Sequence, residues 1–200
     1  MKKGVTLVLL LISFTVFSQT QDSSFYYFQQ GVQEKTAKRY LVATNHFERA
    51  IQLNPVYSPA YIENGYVNME MRRIDVAKEN FIKAYELDNE NSSAIRELME
   101  LYFNYKQYKK AIDFANRCRS CENAERIIAL SYYKMEDYAK AEKILLSIIE
   151  KDPANAEMTY TAARNYLEME LEAKAIPYYE KAVQLDDSKS SWFFELGLLY

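Results

Sequence analysis

The sequence predicts an all-α chain, an α-solenoid of antiparallel helix pairs with five full repeats and a partial sixth. Three observations carry this. Glycine and proline are scarce, four of each in 200 residues, which argues against collagen-like or low-complexity disorder and against a β chain with many tight turns. The few small residues recur on one fixed spacing. Between them, apolar residues fall at helical intervals. With 49% apolar residues there is material for a core, so wholesale disorder is excluded.

The spacing is shared by three residue types. Ala43, Ala77, Ala111, Ala141 and Ala175 are separated by 34, 34, 30 and 34 residues. Gly31 and Gly65 lie 34 apart, and Gly197 keeps the same register. Pro55 and Pro153 lie 98 apart, again with one step of 30. A fixed period of this size marks an array of stacked supersecondary units.

Taken in order, residues 1–18 read as a secretory signal. Lys2-Lys3 is a short basic start, Val5 to Phe17 an apolar run, and Val16-Phe17-Ser18 an acceptable cleavage site. The run is too short to span a bilayer comfortably. No cysteine stands at the cut, so a lipoprotein signal is not expected. The protein is therefore expected to be exported, periplasmic or secreted, with membrane contact only if the signal stays uncleaved or a C-terminal segment is missing. A short polar stretch, 19–23, leads into the array.

The units are 24–57, 58–91, 92–121, 122–155 and 156–189, with a partial unit at 190–200. In the second, Tyr61, Gly65 and Asn68 lie on one helix face and Ile74, Ala77, Phe81 and Ala84 on another. Arg72-Arg73 breaks the two, and Leu87 to Asn91 supplies turn and N-cap residues for the next helix. The small residues Gly31, Gly65, Ala129, Ala163 and Gly197 let the first helix approach the second, and Ala43, Ala77, Ala111, Ala141 and Ala175 do the same from the second helix. Tyr27, Tyr61, Phe47, Phe81, Tyr102, Tyr132, Tyr166 and Tyr179 fill the gaps. The third unit departs from this pattern: Met99 replaces the small residue, Ala115 the bulky one, and Cys118 an alanine. Pro177 falls near the first turns of a second helix, where a missing N–H costs little. The partial unit is a first helix with no second helix to cover it, ending in an apolar run; self-association through that end, or continuation in a longer protein, is expected.

These repeats resemble the tetratricopeptide repeat family, most clearly in YIENGYVNMEMRRIDVAKENFIKAYELDNEN, ALSYYKMEDYAKAEKILLSIIEKDP and KAIPYYEKAVQLD. The resemblance implies a right-handed superhelix whose first helices line an inner groove. The implied groove residues are Phe28, Val32, Ile62, Tyr66, Arg96, Glu100, Arg126, Leu130, Tyr160, Arg164, Phe194 and Leu198. Aromatics and arginine are typical interface anchors. The family's carboxylate clamp for chaperone tails needs Lys and Asn in first-helix slots that hold Phe28, Val32, Ile62 and Tyr66, so that ligand is not implied.

Other chemistry finds little support. Net charge is −3 with no basic stripe, so nucleic acid is a poor partner. His46 is the only histidine and reads as a surface residue, which removes most metal and triad chemistry. Cys118-Arg119-Ser120-Cys121 is a C-x-x-C, but it closes a second helix, the pole that does not lower a thiol pKa. A redox dithiol or a zinc site is not expected there; a local disulfide and a pair of reduced thiols both remain open. No phosphate loop, nucleophile elbow or catalytic constellation is found. The expected function is a non-catalytic protein–protein interaction scaffold of the cell envelope, without cofactor or metal, binding a peptide or protein segment. The alternative is a sensor or recruitment module of a longer signalling or envelope-assembly protein.

Overall fold

The structure, a computed structural model, describes residues 23–118 and 121–200. The signal-peptide reading and residues 19–22 lie outside these. No helix among the described residues is long and apolar enough to cross a membrane.

The described chain is helical, without strands. A helix over residues 23–36, α1, is followed by α2 (Tyr40–Leu53), α3 (Ser58–Glu70), α4 (Ile74–Leu87) and α5 (Ser92–Asn104). Then come α6 (Tyr108–Arg117), α7 (Ala124–Lys134), α8 (Tyr138–Lys151), α9 (Ala156–Glu168), α10 (Glu172–Leu185) and α11 (Ser190–Gly197). They form two compact units, divided within α5 between Leu98 and Met99.

In the first unit the glycines do what their spacing predicts. A Cβ on Gly31 would sit 2.5 Å from the Phe47 ring, and one on Gly65 2.6 Å from the Phe81 ring. Glycine and ring stand about equally far from the turn between their helices, so the helices of each pair run antiparallel. Ala43, Ala77, Phe47 and Phe81 are completely buried. Ser24 and Ser58, one period apart, each donate a hydroxyl to the end of the following second helix, at the Ala50 and Ala84 carbonyls. Each of those carbonyls also accepts from the cap residue's N–H, Asn54 and Asp88, so the hydroxyl takes up its second lone pair.

The second unit keeps the arrangement with different volumes. Ala129 and Leu145 share one buried cluster, and Ala163 and Tyr179 another. Met99 and Ala115, in the glycine and phenylalanine slots of the third repeat, are both buried. Large and small have changed places there, which conserves the volume filling the gap. The four missing residues shorten α6 to 10 residues, against 14 in α4 and α8. Cys118 caps α6 and is bonded to Cys121, with Cα atoms 5.4 Å apart. Of the two states left open for these cysteines, the structure holds the disulfide.

Two expectations change. Gly197 keeps the register, but a Cβ there would meet nothing within 4 Å, because no described helix follows α11 to fill its slot. Pro177 is the sixth residue of α10, beyond the first four N–H groups that lack acceptors. It removes the bond the Ala173 carbonyl would accept; both residues are exposed, so water can reach that carbonyl.

A second periodicity escaped the sequence. Lys38, Arg72, Lys106, Glu136 and Glu170 all have positive φ, between 57° and 63°, on the same spacing as the alanines. Each closes a Schellman turn. Arg73 N–H donates to the Asn68 carbonyl and Arg72 N–H to Met69, and Leu171 to Tyr166 and Glu170 to Leu167 repeat the pattern. Glycine is the residue that normally takes this conformation, yet none of the five is glycine. Lys38→Gly or Glu170→Gly is expected to stabilise its repeat by about 0.5–1 kcal/mol, the relief of Cβ strain less the backbone entropy of glycine. Thermal melts of the single variants check this.

Candidate functional site

The sequence places the candidate ligand surface on the first helix of each pair, and each unit carries one organised polar cluster there.

In the first unit the cluster runs across α1, α3 and α5. Lys35 Nζ lies 2.6 Å from a Glu63 carboxylate oxygen and 5.0 Å from the Tyr66 ring centroid. Tyr66 Oη accepts from Arg96 Nη2 at 2.9 Å and donates to Glu97 Oε1 at 3.3 Å. The Tyr66 ring meets buried Phe81 edge-on at 5.4 Å, so its orientation is set by the core. Burial, then the charge of Glu97, pushes the Tyr66 phenol above its ordinary pKa.

In the second unit the cluster runs across α9, α10 and α11. Tyr160 stacks on Trp192 at 4.4 Å with only 12° between the rings. Tyr160 and Tyr179 each donate a 2.8 Å hydrogen bond to a different oxygen of Glu195. One carboxylate thus braces two phenols from two helices. Arg164 lies 3.6 Å from Glu168 with a large part of its side chain facing solvent, and its charge beside Tyr160 opposes the rise of that phenol's pKa. Arg126, on α7, reaches Glu157 on α9 at 3.3 Å.

Burial, then the hydrogen bond to Glu195, pushes Tyr160 up to about 12, and the same causes raise Tyr179. A phenol whose pKa is higher folded than unfolded stabilises the fold fully below the unfolded value. That stabilisation is lost as pH rises through the folded value. Stability is therefore expected to hold from neutrality to the ordinary tyrosine pKa, roughly 10, and to fall from there towards about 12. Tyr160→Phe removes part of that alkaline fall, which chemical denaturation across the pH series checks.

The twelve residues implied by the resemblance divide. Tyr66 and Arg96 are brought together, as are Tyr160 and Arg164. Ile62 is only 7% exposed and turns inward. Phe28 and Val32 pack on the core around Phe47, and Leu130 on the core around Leu145. Glu100 is half-buried, whereas Phe194 and Leu198 are 68% and 70% exposed. His46 is half-buried and stacks on Tyr27 at 6.1 Å.

The sequence reading missed the glutamates. Glu63, Glu97 and Glu195 share one repeat register, and each takes a hydrogen bond from the preceding first helix: from Lys35, Tyr66 and Tyr160. The signal was present as a glutamate recurring on the alanine spacing. Among the described residues, no group of three or more His, Cys, Asp or Glu could hold a metal ion.

Residues 58–91 and 156–189 match the tetratricopeptide repeat family. The chain superposes on the crystal structure of YrrB, described as a TPR protein with an unusual peptide-binding site, with a TM-score of 0.79. That match covers 91% of this chain and 96% of the other at 18% identity. The fold is a tetratricopeptide-type helical repeat. A crystal structure of MamA gives a TM-score of 0.74 at 20% identity, covering 85% of this chain and 95% of that one. Among curated proteins, the human protein O-mannosyl-transferase TMTC3 is 28% identical over 163 residues, 77% of this chain and 18% of its own length. The chain spans between 18% and 37% of the length of three curated relatives. Tetratricopeptide repeats generally mediate contacts between proteins and typically serve as non-catalytic scaffolds.

Proposed function

We propose that this protein is an exported, non-catalytic scaffold of the cell envelope whose first-helix surfaces take a peptide or protein segment. The observation that carries the reading is the braced cluster of the second unit. Tyr160 is held by Trp192 and Glu195, and Arg164, paired with Glu168, stands beside it while still facing solvent. A tyrosine and an arginine fixed before the ligand arrives lose little rotamer freedom on binding. Arg164 offers a planar donor pair to a carboxylate or to main-chain carbonyls. The Tyr66–Arg96 pair does the same in the first unit. The peptide-binding site ascribed to YrrB, a protein of the same fold, supports a peptide as the ligand class. Export rests on the N-terminal signal reading alone.

A second reading is favoured by the curated relatives, which are several times longer than the matched segment. In it, these repeats are the recruitment module of a longer protein. The exposed Phe193 and Phe194 of the last helix, with Leu198 and Tyr200 just after it, would then pack on a further helix or on a second chain.

The test is selection from a displayed peptide library, followed by titration of the enriched peptides. Arg126→Ala/Arg164→Ala is expected to weaken binding at least about tenfold, the loss that typically marks an interface anchor, with the helical circular dichroism unchanged. Tyr160→Phe keeps the stacking and serves as control for the hydroxyl. Equal binding by the arginine variant, or no enriched peptide, overturns the proposal.

A further inference from the structure

The turns between paired helices in the second unit carry a charge order that the first-helix clusters touch only at Glu168, through Arg164. The α5–α6 turn and the first residues of α6 hold Lys106, Lys109 and Lys110, all exposed. Together with Gln107, Tyr108 and Met135 they line a hollow of about 390 Å³. Lys110 lies 5.1 Å over the Tyr102 ring. Among the described residues, no carboxylate lies within ion-pair distance of any of the three. In the α7–α8 turn Lys140 pairs with Asp137 at 2.6 Å, and Lys134 and Glu136 offset each other in net charge. That turn is balanced. The α9–α10 turn is the reverse of the first. Glu168, Glu170 and Glu172 are exposed. Lys174 lies over the Tyr166 ring at 5.5 Å, as Lys110 does over Tyr102, so three carboxylates face one lysine, and only Glu168 has a cation, Arg164, 3.6 Å away.

These turns share one edge of the unit. Lys106, Glu136 and Glu170 are the same repeat position, each with φ near +60°. The hollow joins the first turn to Met135 of the second. The second joins the third where Asn165 Nδ2 donates to the Tyr138 carbonyl at 3.0 Å. The order along the edge is therefore basic, balanced, acidic.

We infer that this edge is a docking surface for a second copy of the chain. A two-fold axis through the balanced α7–α8 turn lays each lysine turn on the partner's glutamate turn. The same pairing forms twice, and the assembly closes at two chains. Charge complementarity argues for this occupant: among the described turns between paired helices of this unit, the lysines without a carboxylate partner and the glutamates that are largely without a cation lie one repeat either side of the axis. The contact is solvent-exposed, so each ion pair is weak and screened by salt. The expected state is a dimer in low salt that dissociates as salt rises, the opposite salt response to an apolar contact through the last helix.

Light scattering and sedimentation of the purified protein over a concentration series test this, at about 20 mM and about 500 mM salt, where the screening length falls several-fold. Wild type is expected to approach twice the chain mass in low salt and return to one in high salt. Lys106→Glu/Lys109→Glu/Lys110→Glu and Glu168→Lys/Glu170→Lys/Glu172→Lys are each expected to weaken dimerisation at least about tenfold, because each carries like charge on both turns. An equimolar mixture of the two is expected to dimerise again, since every contact is then between opposite charges. Circular dichroism confirms that both variants stay helical. A wild type that stays monomeric in low salt, a mass that grows past two chains, or a mixture that fails to recover overturns the proposal. So does an unchanged affinity in either variant, which would leave the lysine hollow to some other anionic partner.

Discussion

Replacing Phe81 by alanine is expected to destabilise the first unit by about 3–5 kcal/mol, the usual cost of removing a fully buried phenyl ring. The ring is completely buried, fills the space over Gly65 and orients Tyr66. The reciprocal variant, Gly65→Ala, inserts a methyl 2.6 Å from that ring and is expected to cost about 1–3 kcal/mol by overpacking. The two are in contact, so they should not add. In the double variant the new methyl occupies part of the cavity that Phe81 vacates. The double loss is expected to be smaller than the sum of the single losses, which denaturant titration of all four proteins measures. Additive losses would mean that glycine and ring do not share one slot. Gly197→Ala is the internal comparison: nothing lies within 4 Å of its added methyl, so no overpacking cost is expected.

The second large effect is expected at Trp192. It is 8% exposed, stacks on Tyr160 and packs with Ala182 and Val183. Trp192→Ala is expected to cost about 3–5 kcal/mol, concentrated on α11. That helix has 8 residues, too few to hold its shape without packing. Its loss carries Glu195 away from Tyr160 and Tyr179 and leaves two phenols without their acceptor. Hydrogen exchange is expected to show α11 amides losing protection first, while α3 and α4 in the other unit keep theirs. Peptide binding through Arg164 should fall as well, because Tyr160 beside it is no longer held. Loss of α11 protection with unchanged alkaline stability would contradict the bracing role given to Glu195.

How much of this was legible can be argued residue by residue. Ala43, Ala77, Ala111, Ala141 and Ala175 were read as close-approach residues from spacing alone, and all five are completely buried. Spacing sufficed because helix contact distance is set by side-chain size at one position, and that position recurs. The candidate surface was legible only in part. Tyr66, Arg96, Tyr160 and Arg164 were assigned to it, but so was Ile62, which is buried. A first helix packs on its own second helix and on neighbouring first helices, and spacing within one helix cannot say which of these a side chain meets. The Glu195 bridge joins residues 35 and 16 positions apart. No local pattern encodes such a pair.

By itself the sequence determined the all-α class, the period, the shortened third repeat and the small residues at which paired helices touch. These follow from local quantities: residue volume, helical spacing and the scarcity of glycine and proline. Only the tertiary structure decided the rest. It joined Cys118 to Cys121, put five non-glycine residues into left-handed turns, left Gly197 unopposed, and gathered Tyr160, Tyr179 and Arg164 around one side of α11. Each of these depends on where two segments meet in space. That is settled by packing over the whole unit rather than by the residues of either segment.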